Sequence, residues 1–122
     1  MIGIIEKFGL NAGRVWTALN SRGPLADTQL MEDTSLRTNE LYAAIGWLAR
    51  ENKISKDGEL YKLDETNLTG KIGRDAGKIW KLLATESKVD TTYISKLTEM
   101  NERDTYSALG WLAREDKIQI KR

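Results

Sequence analysis

Histidine and cysteine are both absent from the 122 residues. That removes the commonest general base, the commonest metal ligand and every thiolate. Carboxylates, lysines and tyrosines remain, but they form neither a paired acidic site nor a phosphate-cradling glycine loop. The expectation is a non-enzymatic chain that needs no cofactor and no metal. The side chains best suited to recognition are Arg37, Thr38 and Asn39. Arginine can pair with guanine, asparagine with adenine, and threonine can bond a phosphate oxygen. Lys53, Lys56 and Lys62 could meet flanking phosphates. The bland alternative is an ordinary polar surface.

What positions these residues is a repeat. Trp16 and Trp80 lie 64 residues apart, as do Trp47 and Trp111. Without a gap, residues 7–54 match residues 71–118 at 18 of 48 positions. Gly46-Trp47-Leu48-Ala49-Arg50-Glu51 recurs unchanged as Gly110 to Glu115. Two copies are too few for a solenoid and point to a tandem of small modules, 1–64 and 65–122. Modules of that size bury thin cores, so each is expected to lean on the other.

Each copy has one grammar. Asn11 or Asp75 is expected to cap a first helix facing inward through Ala12, Val15, Trp16 and Leu19, or through Ala76, Ile79, Trp80 and Leu83. This places Trp16 and Trp80 in the core. Ser21-Arg22-Gly23-Pro24 breaks the chain in copy one. A short second helix follows at 26–33 and 90–97, capped by Asp90 in copy two with Ile94 and Leu97 facing inward. A tight turn leads to a third helix at 38–51 and 102–115. In copy one, alternating apolar residues around Asp57-Gly58 then predict a hairpin. Segments 2–8 and 66–72 are candidate short strands. In copy two the hairpin begins at Lys117, and either that wing is reduced or another segment, such as 2–8, completes it. The fold class is mainly α with short β hairpins (α+β), as tandem winged helix-turn-helix modules.

The residues Asn11 to Trp16 with Tyr42 to Glu51, matched again by Asp75 to Trp80 with Tyr106 to Glu115, carry a resemblance. The chain resembles a family of small prokaryotic winged-helix proteins of unknown function. The resemblance covers both copies and implies a winged helix-turn-helix fold and, by analogy, DNA binding or transcriptional control. The members resembled have one module, so the tandem is a departure.

The third helix of copy one has a core face at Leu41, Ile45, Leu48 and Ala49. Glu40, Ala43, Trp47 and Arg50 point the other way, the side that enters a major groove in this fold. Small residues flank the outward tryptophans: Ala43 and Gly46 beside Trp47, and Ser107 and Gly110 beside Trp111. Three readings stand. Each indole packs under its own wing or against the segment before its own first helix. Alternatively Ala43, Trp47, Ser107 and Trp111 form an interface, copy to copy or chain to chain. Or the rings stack on bases. A glycine within a helix costs about 1 kcal/mol against alanine, which favours a packing role for Gly46 and Gly110. Arg50 and Arg114 compensate a helix end or meet a partner.

Charge weighs against a strong phosphate binder. The formal net charge is +1, and the two halves differ little. Residues 1–64 carry 8 basic and 9 acidic side chains, and residues 65–122 carry 11 and 9. In copy two the first turn of the third helix reads Asn101, Glu102, Arg103, Asp104, preceded by Glu99. Each carboxylate near a phosphate costs on the order of 1 kcal/mol even in water. Double-stranded DNA is therefore expected only at copy one. The alternative is a scaffold that binds a protein partner or forms a homodimer. No apolar run spans a membrane, Glu6 comes too early for a signal peptide, and a cytoplasmic location is expected.

Overall fold

The computed structural model describes residues 4–85 and 89–118. Copy one consists of α1 (Ile4–Arg22), β1 (Leu25–Ala26), α2 (Asp27–Thr34), α3 (Thr38–Arg50), β2 (Ile54–Asp57) and β3 (Leu60–Leu63). Copy two repeats the helices as α4 (Thr69–Thr85), α5 (Thr91–Thr98) and α6 (Glu102–Arg114). The described residues are thus largely helical with one small antiparallel sheet, the α+β plan of winged-helix modules.

The first helices begin earlier than the caps suggested. Phe8, Ala12, Val15 and Leu19 are all buried, and their spacing of four, three and four continues one apolar stripe straight through Asn11. Residues 4–8 and 69–72 are therefore helical rather than strands, and 66–68 is a loop. Residues 2 and 3 lie outside the described residues. Asn11 and Asp75 are not caps but buried mid-helix residues. The Asp75 carboxylate is held by Lys71 Nζ at 2.9 Å. That bond raises the lysine's pKa, more than burial lowers it.

Trp16 and Trp80 are not core residues either: 40% and 50% of their surface is exposed. Val15 and Leu19, or Ile79, take the inward direction, and each indole sits about 100° round the helix, at the edge of the packed stripe. Leu97 is likewise exposed, whereas Ile94 is buried.

Local chemistry sets the boundaries. Gly23 adopts φ +79° and closes α1 by donating its N–H to the Leu19 carbonyl, just before Pro24. Ser35 and Glu99 take the left-handed conformation after α2 and α5. Asp90 caps α5 by accepting the Tyr93 N–H, and Asn101 caps α6 by accepting that of Asp104. Tyr42 Oη donates to Asp27 at 2.7 Å, tying α2 to α3; Tyr106 Oη reaches Thr91 in copy two.

The wing of copy one is a three-stranded sheet in the order β1-β3-β2. Asp57 pairs with Leu60, so the hairpin loop is Gly58-Glu59 rather than Asp-Gly. Gly58 alone has positive φ there, as a type II′ turn requires. Buried Tyr61 opposes Leu25 and seals the sheet over the helices. In copy two the chain runs to Lys117 and buried Ile118. Residues 119–122, where a second wing was expected to develop, lie outside the described residues. Residues 4–8, offered above as its completion, belong to α1.

Two cores form, and side chains cross between them: Phe8 and Ala43 of copy one enter the second, and Ile72 of copy two enters the first. Phe8 of α1 packs into the cluster of Ala76, Ile79, Leu109 and Leu112. Its equivalent, Ile72 of α4, packs into the cluster of Val15, Leu41, Ile45 and Leu48.

Candidate functional site

The middle of the outward face of α3 is covered, although Arg50 at its end stays exposed. Ala43 is fully buried, Gly46 is buried, and α6 lies against both. A Cβ built on Gly46 would overlap the Ser107 carbonyl oxygen and lie 2.7 Å from its carbon. One built on Gly110 would overlap the Ala43 carbonyl oxygen and lie 2.7 Å from that carbon. Residues 43 and 107 are equivalent, as are 46 and 110, so the seam has twofold pseudosymmetry. Backbone meets backbone because neither glycine offers a side chain.

The C-terminal ends of the two helices adjoin. Arg50 Nε lies 3.1 Å from Glu115, and Arg114 Nε lies 3.0 Å from Glu51. Arg50 also stacks over the Trp111 ring at 5.7 Å, and Arg114 over Trp47 at 5.8 Å. Late residues meet late residues, so α3 and α6 run in the same general direction and their first turns share the opposite end. Each tryptophan is held from two sides. Trp47 packs on Gly9 of its own α1, where an added Cβ would lie 3.1 Å from the ring, and Trp111 packs on Gly73. The other copy's arginine covers the outer face.

Arg37 and Thr38 are exposed at the start of α3 and Asn39 is half-buried. Lys53 follows the far end of the helix, about 20 Å away at 1.5 Å per residue. It lies 3.7 Å from Glu51. Lys56, on β2, extends over the Tyr61 ring, and its backbone N–H and carbonyl are both bonded to Asn67. The structure therefore brings Arg37, Thr38 and Asn39 together but leaves Lys53 at the other end of the helix. In copy two, Asp104 lies 3.1 Å from Lys71.

Glu40 supports the first turn of α3. It accepts the Arg37 N–H at 3.0 Å and lies 3.3 Å from Lys7 Nζ. The backbone bond, aided by the lysine and opposed by burial, holds its carboxyl below the ordinary value of 4.5. Because the folded pKa is the lower one, this stabilisation is complete above about pH 4.5 and is lost as pH falls through the folded value. Glu40→Gln should flatten the acid limb of the stability profile, which urea midpoints measured between about pH 7 and about pH 3 will check.

One feature is visible only once α4 is known to be a helix with an exposed side. Lys71, Arg74, Lys78 and Lys81 are all exposed and fall within an 80° arc at 100° per residue. The near-balance of charge over residues 65–122 does not show it. Lys117 Nζ lies over the exposed Trp80 ring at 5.6 Å. In copy one the corresponding positions are Lys7, Leu10, Arg14 and Thr17. There the side chains of Trp16, Thr17, Trp47, Glu51 and Lys53, with Gly9 and Gly13, line an open groove of about 370 Å³. Among the described residues no His, Cys, Asp or Glu cluster could hold a metal, and no helix is long and apolar enough to cross a membrane.

The winged helix-turn-helix domain family DUF2582 matches residues 5–65 and again residues 64–122. An uncharacterised protein of Methanocaldococcus jannaschii is 40% identical over 60 residues, covering 80% of that protein and 44% of this chain. No solved structure matches. With its helix-turn-helix duplicated and both halves matched, the chain belongs to the DUF2582 winged helix-turn-helix family as two tandem copies.

Proposed function

We propose that the protein is an interaction scaffold: two winged-helix copies locked together, presenting their outer faces to a protein partner rather than inserting α3 into DNA. The observation that carries this reading is the seam. The face that a helix-turn-helix lays in the major groove is the face that Gly46 and Gly110 press together. Helix-turn-helix dimers also hold their recognition helices about 34 Å apart to reach successive grooves. Here the two are in backbone contact. The faces left open include the copy-one groove with its exposed Trp16, and an exposed indole is the kind of anchor on which protein interfaces concentrate their binding energy.

Duplex DNA reading by copy one, with a role in transcriptional control, is the second reading. Exposed Arg37 and Thr38 favour it. A titration of isotope-labelled protein with a mixed-sequence duplex at low salt separates the two. The scaffold reading expects no Arg37-dependent binding and unchanged amide signals along Ala43 to Arg50. Micromolar duplex binding that weakens steeply with salt and is lost in Arg37→Ala would overturn it.

A further inference from the structure

We propose that the exposed face of α4, with Trp80 at its edge, binds single-stranded nucleic acid. This goes beyond the scaffold reading and uses a different surface of the chain.

The charge comes first. Lys71, Arg74, Lys78 and Lys81 form a ridge about 15 Å long on one side of the helix. The acidic residue of α4, Asp75, is turned inward and paired with Lys71, which Asp104 also meets at 3.1 Å, so the ridge's charge for a ligand rests on Arg74, Lys78 and Lys81. Among the described residues, no carboxylate lies within 4 Å of the charged atoms of Arg74, Lys78 or Lys81. Such a ridge suits a polyanion.

The shape comes second. Beside the ridge, Gly77 faces open space, and a Cβ there would meet nothing within 4 Å. A mid-helix glycine weakens the helix, and packing inside this chain accounts neither for this one nor for its equivalent Gly13, unlike Gly46 and Gly110. What it provides is a flat floor on which another molecule can lie close to the backbone.

The third element is Trp80, half exposed about 100° beyond the ridge on the other side of that floor. The Lys117 ammonium lies over the ring at 5.6 Å, so a stacking base uses the other face or displaces that side chain. Phosphates on a basic ridge and a base on an aromatic face are the two contacts that single strands use without sequence preference. A duplex keeps its bases stacked inside and gives the indole nothing to stack on. An anionic membrane would call for several large apolar side chains on this face, and between the ridge and Trp80 the floor is glycine. Copy one is an internal contrast: Leu10 and Thr17 replace Arg74 and Lys81, so its ridge is broken.

The test uses the full chain and fluorescence anisotropy of a labelled mixed-sequence 12-nucleotide single strand, with the matching duplex and phosphatidylserine vesicles as parallel probes. The single strand should bind at low salt, with a log–log salt slope of about −2, as about three neutralised phosphates require. Trp80→Ala should weaken binding on the order of tenfold, the loss of one base–aromatic stack. Arg74→Ala with Lys78→Ala should reduce the slope by about 1.4. Gly77→Leu should abolish close approach while leaving the melting temperature unchanged or higher, which separates binding from folding. Trp16→Ala should bind as the parent does. The proposal is overturned if the single strand fails to bind at low salt, if the duplex binds as tightly with no effect of Trp80→Ala, or if only the vesicles bind.

Discussion

Gly46→Ala should destabilise the protein by at least about 3 kcal/mol, although alanine is the better helix former by about 1 kcal/mol. The added methyl would occupy the place of the Ser107 carbonyl oxygen. That oxygen is backbone in the middle of α6, so it cannot rotate aside; the two helices must separate. Separation also loosens the indoles and the crossed arginine–glutamate pairs. Gly110→Ala should cost about as much, because the Ala43 carbonyl stands in the equivalent place. The contrast is Gly13→Ala on the exposed side of α1, where a Cβ would meet nothing within 4 Å. That change should stabilise by about 0.5–1 kcal/mol. Urea denaturation of the three variants puts opposite signs on chemically identical substitutions. If Gly46→Ala proves neutral, the seam is not a backbone contact.

Phe8→Ala should cost about 3–5 kcal/mol, the usual range for deleting a buried phenyl ring. Its location makes the result diagnostic. Phe8 belongs to copy one in sequence but fills the core of copy two. Hydrogen exchange on the variant should therefore show protection lost in α4 and α6 as well as in α1. Protection lost from α1 alone would mean that the exchange of Phe8 and Ile72 contributes little. The same exchange predicts that both copies of the parent protein unfold in one transition, since neither core is complete without a side chain from the other.

Sequence reveals some of these features more readily than others, for physical reasons. The helix-turn-helix plan was legible because apolar spacing, the Asp90 cap and the duplicated segment all report on local structure. Gly46 and Gly110 were legible as packing residues, since a mid-helix glycine is unfavourable unless something lies close to it. The start of α1 was not, because asparagine favours both caps and the occasional buried site, and only the stripe running back to Phe8 decides between them. Trp16 looked like core because hydrophobicity does not state whether anything covers the mouth of a groove. Nor does the spacing of charges along a chain show which carboxylates turn inward, as Asp75 does, leaving Arg74, Lys78 and Lys81 outside.

The seam between α3 and α6 also governs how the protein responds to dilution. Two separate chains joined by so compact a contact would come apart as concentration fell. Here residues 64–68 connect β3 to α4, and so short a tether holds the halves at an effective concentration of millimolar order. The pairing therefore survives at any protein level a cell maintains. It also frees the two outer faces from the requirement to be alike. In a pair of identical chains every change appears twice, but in this fused pair α4 carries Arg74 and Lys81 while α1 keeps Leu10 and Thr17 at the same stations.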